Sequence, residues 1–431
     1  MNLNRKSFLK HCGTGLAGLG LGRLSASTSS AGSSVGVVKL PTFNQTNQGP
    51  YWSAVRAGYD FEDRLHYFNT GGLGAVPTAV RQYTERMTAE MESIVETGHG
   101  RLDPARVAVA DFMGCGVDEV SFVRNTTEGN GIVAGGLELE RGDEVIFESH
   151  AHPGGSFPWL LQAQTKGVAV RLFEPDPESV EGNVKRIEAL ITKRTKVVQV
   201  SHVTAPTGVL MPVEKIAALC AKRGIWFHVD GAQSAGMLRI NFKKMECDSY
   251  ATSGHKWLGA PRETGLLLVK RSRQDEVTPP LAGAYTAELE SLPGRLEFTP
   301  NAGRYEYATK DIAKMEGIAE AMRLQNVIGR ERIETHGREL TTLLRSGLAG
   351  VPDLEILTPR SAELSAAILT VRSPRMAYGD LFSVLWNKHR MRCRPVSEQG
   401  LDAVRISCHI FNTAAEIERL VAAVKLEIEA V

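Results

Sequence analysis

Three polar segments of the chain carry the side chains with the most evident chemistry. Asp230 directly follows the apolar run 225–229, so a carboxylate stands at the end of a predicted strand, where burial requires a partner for its charge. Lys256, in the polar segment 252–259, offers a primary amine. Residues 125–129, earlier in the chain, combine two threonine hydroxyls with the backbone amides of a predicted helix start, which suit a phosphate group.

These three segments have one chemical use in common, the binding of pyridoxal phosphate. That cofactor needs a lysine for a Schiff base, an acid beside its pyridinium nitrogen and a cradle for its phosphate. The lysine amine must be neutral to attack an aldehyde, and burial near another cation lowers its pKa. The order of phosphate segment, acid and lysine along the chain therefore predicts a pyridoxal phosphate site around Asp230 and Lys256.

Alternating strands and helices are expected to position these segments. The apolar runs that predict strands lie at 144–147, 168–173, 195–200, 225–229 and 265–269. Helical stretches separate most of these runs, which is typical of an α/β protein whose mostly parallel sheet is covered on both faces. Because ligands bind at the carboxyl ends of parallel strands, we expect the polar residues that follow these runs to meet.

The pattern changes along the chain and predicts its domains. Residues 1–31 have the character of a signal segment, and residues 32–75 are predicted to form a linker and an N-terminal arm. Residues 76–305 contain the strand–helix alternation and are predicted to form a large cofactor-binding domain. Long helices with few strands in residues 306–431 predict a smaller α+β domain.

Composition excludes several classes of protein. The chain has 431 residues, of which 42% are hydrophobic, and its 50 Lys+Arg nearly balance its 49 Asp+Glu. A disordered chain is therefore excluded, and the net charge of +1 gives no reason to expect a nucleic acid or an anionic membrane as partner. No apolar run reaches the roughly 18 residues of a membrane span. The six cysteines are scattered without a CxxC pair, so they predict neither a disulfide framework nor a zinc site.

The N-terminal segment 1–31 has the three parts of an export signal. It begins with basic residues, continues with a soft apolar stretch and ends with small polar residues. Residues 4–10 resemble a twin-arginine signal in which Lys6 replaces the second arginine. We therefore expect export to the periplasm, and a disordered basic N-terminus on a cytoplasmic protein is the alternative. The segment holds basic residues and no acid, so its removal would leave a mildly acidic protein.

Residues 66–425 resemble the class V aminotransferase family of fold-type-I pyridoxal-phosphate enzymes, which includes cysteine desulfurases and isopenicillin N epimerase. The matching motifs are the Asn-x-Gly segment at 69–71, the motifs at 230–233 and 253–256, and the segments 404–407 and 411–413. The resemblance implies an α/β fold of the fold-type-I transferase kind. The large domain of such a protein would contain a mostly parallel sheet of the seven-stranded type. A smaller α+β domain would follow at the C-terminus.

The same resemblance implies roles for individual residues. Lys256 would form the Schiff base and shuttle the proton at Cα, while Asp230 would bind the pyridine nitrogen. Gln233 would hydrogen-bond the phenolic oxygen of the cofactor. The residues that would hold its phosphate are Thr127, His255 and Ser253, together with the backbone of Thr126. Arg405 would bind the substrate carboxylate, which suits a planar guanidinium, and Asn69 would also bind the substrate.

The resemblance leaves two details of the cofactor site open. His152 aligns with the side chain that stacks on the pyridine ring, but His150 stands two residues earlier and is the alternative. Ser201 and His202 both end a strand beneath the cofactor, and we expect only one of them to contact it, with Ser201 the favoured one.

Two departures from the family pattern reduce the number of reactions expected of the protein. Cysteine desulfurases carry a nucleophilic cysteine shortly before the substrate arginine, whereas residues 394–405 contain none. Cys393 and Cys408 are expected to pack in the interior, so desulfurase chemistry is disfavoured. The family usually has a glycine before the threonine at position 309, and Ala308 replaces it here. The tripeptide Thr-Lys-Asp at 309–311 resembles that of the epimerase-like branch. In the family this threonine reaches the other subunit's cofactor, which implies a homodimer with shared active sites.

The sequence therefore predicts a pyridoxal-phosphate enzyme that acts at Cα of an amino acid or amine. The outcome would be that of an aminotransferase or an isopenicillin N epimerase-like enzyme. The alternatives on the same fold are a C–S lyase or cysteine desulfurase-like enzyme and a non-catalytic binding protein. A metal hydrolase would need ligands from the histidines at 150, 152, 202, 228 and 255, but their spacing matches no tight ligand motif, so no metal site is predicted.

Overall fold

The structure, a computed structural model, describes residues 40–288, 292 and 294–431. The predicted signal segment 1–31 and the start of the predicted linker lie outside the described residues. In the part of the chain that is described, no helix combines the length and the apolar character that crossing a membrane requires.

A seven-stranded sheet forms the centre of the large domain. Its strands are Val120–Val123 (β1), Glu144–Glu148 (β2), Ala169–Phe173 (β3), Thr195–Ser201 (β4), Trp226–Asp230 (β5), Ser249–Ser253 (β6) and Gly265–Val269 (β7). Their spatial order is β1-β7-β6-β5-β4-β2-β3, and β7 runs antiparallel to its neighbours β1 and β6 while the other pairs are parallel. Strands β1, β2, β5, β6 and β7 are buried at every residue, as expected for a sheet covered on both faces.

Helices enclose this sheet and build the second domain. In chain order they are Gly49–Arg56 (α1), Thr78–Ile94 (α2), Leu102–Met113 (α3), Thr126–Gly136 (α4), Pro153–Lys166 (α5), Val180–Leu190 (α6), Val213–Arg223 (α7), Phe242–Met245 (α8), Ile312–Ile328 (α9), Arg330–Leu348 (α10), Tyr378–Asn387 (α11) and Ala414–Glu429 (α12). Adjacent residues of β4 face opposite sides of the sheet, so Val198 joins the apolar cluster of α3, α7 and α9, while Val197 joins that of α4 and α5.

The small domain contains a four-stranded antiparallel sheet. Its strands are Glu355–Ile356 (β8), Ile368–Arg372 (β9), Arg394–Val396 (β10) and Ala403–Ser407 (β11), in the order β8-β9-β11-β10. Helices α10, α11 and α12 pack on this sheet around a separate apolar cluster. The N-terminal arm reaches the same domain, because His66–Tyr67 pairs in parallel with Met391–Arg392.

The predicted fold class is confirmed, with three differences in detail. Helix α9 lies within the predicted small domain 306–431, but it buries Ile312, Met315 and Ile318 in the core of the large domain. The segment 252–259, predicted as a loop, begins with the last two residues of β6. Helix α11 was not predicted.

Candidate active site

A cavity of about 250 Å³ lies where the carboxyl ends of β5 and β6 meet strands β10 and β11 of the small domain. It brings together most of the predicted site residues. These are Thr126, Thr127, His152, Asp230, Gln233, Ser253, His255, Lys256 and Arg405. Strand β5 ends on Asp230 and β6 ends on Ser253, so the parallel sheet delivers the acid and the lysine turn to one edge.

Lys256 lies on the tight turn that follows β6. Desolvation in the cavity wall lowers the pKa of its amine to about 8, and the charges of Arg405 and Arg394 add to this effect while Asp230 opposes it. The backbone of Gly74 packs against this turn, where an added Cβ would stand 1.8 Å from the Lys256 carbonyl oxygen. The lysine is therefore held in place and its amine is partly neutral at mildly alkaline pH.

The carboxylate of Asp230 begins a buried chain of hydrogen bonds. Asn130 Nδ2 donates to Asp230 Oδ2 (2.9 Å), and the amide of Ala232 donates to the other oxygen (3.0 Å). Asn130 Oδ1 lies 2.8 Å from His228 Nε2, and His228 Nδ1 lies 2.7 Å from Ser249 Oγ. Burial lowers the pKa of His228 to about 3, so the ring is neutral. Its Nε2 carries the proton, because Asn130 turns its amide nitrogen toward Asp230.

The first turn of α4 forms one corner of the cavity. Asn125 caps this helix by accepting a hydrogen bond from the amide of Glu128 (2.9 Å). The amide of Thr126 donates to Ser253 Oγ (3.0 Å), and the two hydroxyl oxygens are 2.7 Å apart. Thr127 is exposed to the cavity, at a helix N-terminus that favours an anion.

The structure distinguishes the two candidate histidines on the loop after β2. His152 lines the cavity and caps α5, where its Nδ1 accepts from the amide of Gly154 (3.0 Å). Desolvation lowers the pKa of His152, and the charge of Lys256 adds to this effect. His150 is instead buried, with Nδ1 3.0 Å from Thr207 Oγ1 and Nε2 3.1 Å from a Glu174 oxygen. Only His152 is therefore available to a ligand.

Gln233 lies in the cavity wall with both ends of its amide engaged. Its Nε2 donates to the carbonyl of Gly71 (2.9 Å), and its Oε1 accepts from Trp257 Nε1 (2.8 Å). The structure thus gives Gln233 a role in joining the Asn-x-Gly segment to the lysine turn.

Two guanidinium groups face the cavity from the small domain. Arg405 donates to the carbonyl of Ala205 (3.0 Å) and to Asn69 Oδ1 (3.2 Å), which accounts for the predicted position of Asn69. Burial lowers the pKa of Arg405 to about 9, and the neighbouring Arg394 adds to this effect. Arg394 forms an ion pair with Glu398.

Three predicted residues do not line this cavity, and one of them is Asn69, which contacts the cavity residue Arg405. Ser201 ends β4, but its amide donates to the buried carboxyl of Glu148 (3.0 Å to Oε1). Thr309 lies in a different cavity of about 170 Å³, beside Lys310 and Arg124. His202, the alternative to Ser201, is also absent from the cavity wall.

Asn130 and Arg394 belong to the site but were not predicted from the sequence. Asn130 stands four positions after Thr126 on α4, so helical periodicity puts both on one face, and this signal could have found it. Arg394 follows the buried Cys393 and lines the cavity. It does not belong to any of the motifs recognised in the sequence.

No cysteine of the described chain lines the cavity. Cys393 and Cys408 belong to the core of the small domain, and burial raises the pKa of each to about 12. Cys115, Cys220 and Cys247 also have pKa values raised by burial. Among the described residues there is also no cluster of three side chains suited to hold a metal ion.

The chain is similar in sequence to known proteins over most of its length. A family model described as aminotransferase class V matches residues 73–420. A probable cysteine desulfurase of Pyrococcus abyssi is 30% identical over 387 residues, which cover 84% of this chain and 94% of that protein. An isopenicillin N epimerase of Streptomyces clavuligerus is 29% identical over 383 residues, which cover 86% of this chain and 96% of that protein.

A solved structure has the same architecture. The apo structure of a cysteine desulfurase from Thermococcus onnurineus NA1 matches with a TM-score of 0.78 and 27% identity. The match covers 88% of this chain and 98% of that one, so it includes both domains.

Proposed function

The chain belongs to the class V aminotransferase family, whose cofactor is pyridoxal 5'-phosphate, and we propose that it acts at Cα of an amino acid as an aminotransferase or an isopenicillin N epimerase-like enzyme. The observation that carries this proposal is the meeting of Lys256, Asp230 and Arg405 in one cavity. An amine, an acid and a carboxylate receptor are the three groups that amino-acid chemistry on this cofactor requires.

The residues of the cavity fit the cofactor. Two glycines keep space open, since an added Cβ would stand 2.7 Å from Gln233 Oε1 at Gly71 and 2.8 Å from Asp230 Oδ2 at Gly155. His255 Nδ1 is buried without a hydrogen-bond partner among the described residues, beside the hydroxyls of Thr127 and Ser253. These groups would hold the phosphate, Asp230 the pyridine nitrogen and His152 the ring face.

Held by these residues, pyridoxal 5'-phosphate would supply an electron sink that makes the Cα proton of the substrate acidic. Arg405 binds the substrate carboxylate through its planar guanidinium and thereby fixes the orientation of Cα. Lys256 takes the Cα proton, for which its lowered pKa suits it, and returns a proton later. Asp230, held by Asn130, stabilises positive charge on the pyridine nitrogen.

The choice between outcomes rests on the absence of a thiol at the site within the described chain. Persulfide formation needs a reactive, accessible cysteine, and the cysteines nearest the substrate arginine, Cys393 and Cys408, are buried in the core. Transamination and epimerisation both begin with proton transfer at Cα and need no thiol. The second candidate is a C–S lyase or cysteine desulfurase-like activity, which the names of several relatives favour.

An amino-acid panel tests the proposal. The purified protein, saturated with pyridoxal 5'-phosphate, is incubated with each amino acid in the presence and absence of an acceptor keto acid. We expect keto acid or inversion of the Cα configuration as the product. Release of sulfide or protein-bound persulfide from cysteine as the only reaction would favour the second candidate, and retention of every substrate unchanged would favour a binding protein.

A further inference from the structure

We propose that Arg394 is a second anion receptor in the candidate active site, so that the preferred amino-acid substrate carries an anionic group on its side chain. This inference rests on the proposed function, because it concerns the substrate that Arg405 and Lys256 would bind. The observation behind it is a second guanidinium, on the strand next to Arg405, which faces the same cavity.

Strand pairing sets the two arginines side by side. Arg394 of β10 is the register partner of Arg405 of β11, and side chains directly opposite in an antiparallel pair have Cβ atoms about 4.5–5.5 Å apart on the same face. Like charges in this arrangement destabilise a sheet. The ion pair with Glu398 offsets part of this repulsion, and a bound anion would offset more of it.

The hydrogen bonds of Arg394 leave room for a ligand. Its Nη2 pairs with Glu398, but its Nη1 is buried without an acceptor among the described residues. A buried donor without a partner is unfavourable, and a guanidinium has a second edge suited to another carboxylate. Arg405, for its part, has no carboxylate partner in the described chain and is free for the substrate's own carboxylate.

The charge of Arg394 reaches the reacting groups. Its charge lowers the pKa of Arg405, Lys256 and His152, while the charge of Glu398 opposes this effect at Arg405 and His152. A substrate with a carboxylate, sulfinate or similar anion on its side chain would bridge Arg394 and Arg405 through its two anionic groups. A neutral side chain would leave Nη1 of Arg394 without an acceptor.

Matched amino-acid pairs test this inference. Exchange of the Cα proton for deuterium in heavy water is followed with glutamate and glutamine, and with aspartate and asparagine, because proton removal at Cα is common to transamination, epimerisation and elimination. We expect kcat/KM for at least one anionic member to exceed that for its amide by about tenfold or more, the discrimination expected of one charge-assisted hydrogen bond.

Three variants locate the source of this preference. Arg394→Gln should reduce the anion-to-amide ratio of kcat/KM to near unity, whereas Glu398→Gln should raise it, since Glu398 competes for the same guanidinium. Arg392→Gln is the matched control, because that neighbouring guanidinium is exposed and lies over the Phe382 and Trp386 rings, and it should leave the ratio as in the wild type.

A binding measurement complements the kinetics and does not depend on turnover. Calorimetric titration of the holoenzyme with glutarate and with butyrate should show tighter binding of the dicarboxylate, and this difference should be lost in Arg394→Gln. Equal binding, or a kinetic ratio at or below unity with exchange still observed, overturns the inference and leaves the proposed function standing. Failure of the protein to retain pyridoxal 5'-phosphate would instead overturn the proposed function.

Discussion

At the scale of single residues, the reactivity of Lys256 follows from its surroundings. Desolvation lowers the pKa of its amine from 10.5 to about 8, and only the neutral amine is nucleophilic. In the protein without cofactor, labelling of Lys256 by an amine reagent should therefore rise with pH through a midpoint near 8. Peptide mass spectrometry over a pH series measures this midpoint.

Two substitutions test the cause of that shift. Asp230→Asn removes a negative charge that stabilises the ammonium, so the midpoint should fall, whereas Arg405→Gln removes a positive charge, so the midpoint should rise. A wild-type midpoint near 10.5, or shifts of both variants in the same direction, would contradict this account of the lysine.

Asn130 is predicted to position Asp230 for the cofactor. Asn130→Ala would leave Asp230 Oδ2 and His228 Nε2 without their partner, which should lower the free energy of unfolding by about 1–3 kcal/mol and also weaken cofactor binding. The matched control is Asn183→Ala, which removes a buried asparagine that bonds to the backbone of residues 176 and 179, away from the cavity.

The two asparagine variants separate a positioning role from a structural one. Both should lose stability in denaturant titrations, but only Asn130→Ala should raise the dissociation constant of pyridoxal 5'-phosphate. Comparable cofactor affinity in the two variants would show that Asn130 acts only in packing.

Residues that belong to contiguous motifs could be predicted from the sequence, and those brought in by tertiary contacts could not. Asp230, Lys256 and Arg405 stand in recognisable segments, and the structure brings them to one cavity. Arg394 enters only through its pairing with Arg405, which depends on the register of two strands. The bond from the Ser201 amide to Glu148 could likewise not be predicted, because it depends on the pairing of two strands.

At the scale of elements, helix α4 offers a test of how tightly the phosphate corner is packed. An added Cβ at Gly129 would stand 2.8 Å from the Cβ of Ala251 in β6, whereas one at Gly131 would meet nothing within 4 Å. Gly129→Ala should therefore lower the free energy of unfolding by about 1–3 kcal/mol through overpacking. Gly131→Ala should raise it by about 0.5–1 kcal/mol through helix propensity.

Chemical denaturation of the two glycine variants measures both changes. Because α4 and β6 carry Thr126 and Ser253, Gly129→Ala should also weaken cofactor binding. Equal stabilisation by both substitutions would contradict the close contact between α4 and β6 at Gly129.

Most elements could be predicted because their apolar periodicity is strong, and the exceptions have physical reasons. Strand β6 has the sequence Ser-Tyr-Ala-Thr-Ser, which lacks the apolar run expected of a buried central strand. Its hydroxyls are satisfied instead by neighbours, since Thr252 Oγ1 donates to the Gly231 carbonyl and Ser249 Oγ accepts from Trp226 Nε1. Burial of so polar a strand could not be inferred without those partners.

At the scale of the whole molecule, we propose a homodimer in which Thr309 serves the partner's cofactor site. In the single chain Thr309 lies away from the cavity of Lys256, in a separate cavity of about 170 Å³. Light scattering should therefore give about twice the chain mass of 46.9 kDa. A monomer that retains the cofactor would contradict the shared site.

Mixed dimers test the sharing directly. Thr309→Glu places a negative charge where the phosphate is expected, so this variant and Lys256→Ala should each be inactive as homodimers. Co-expressed, they should recover activity, because one site of each mixed dimer combines an intact Lys256 with an intact Thr309. No recovery in a purified mixed dimer would place Thr309 outside the site.

The proposed function requires that Lys256 hold pyridoxal 5'-phosphate covalently. The most direct measurement is borohydride reduction of the cofactor-loaded protein, followed by digestion and peptide mass spectrometry. We predict that the reduced cofactor is attached to the peptide that contains Lys256, and that Lys256→Ala shows no attachment under the same conditions. Attachment to another lysine, or no attachment in the wild-type protein, would contradict the account.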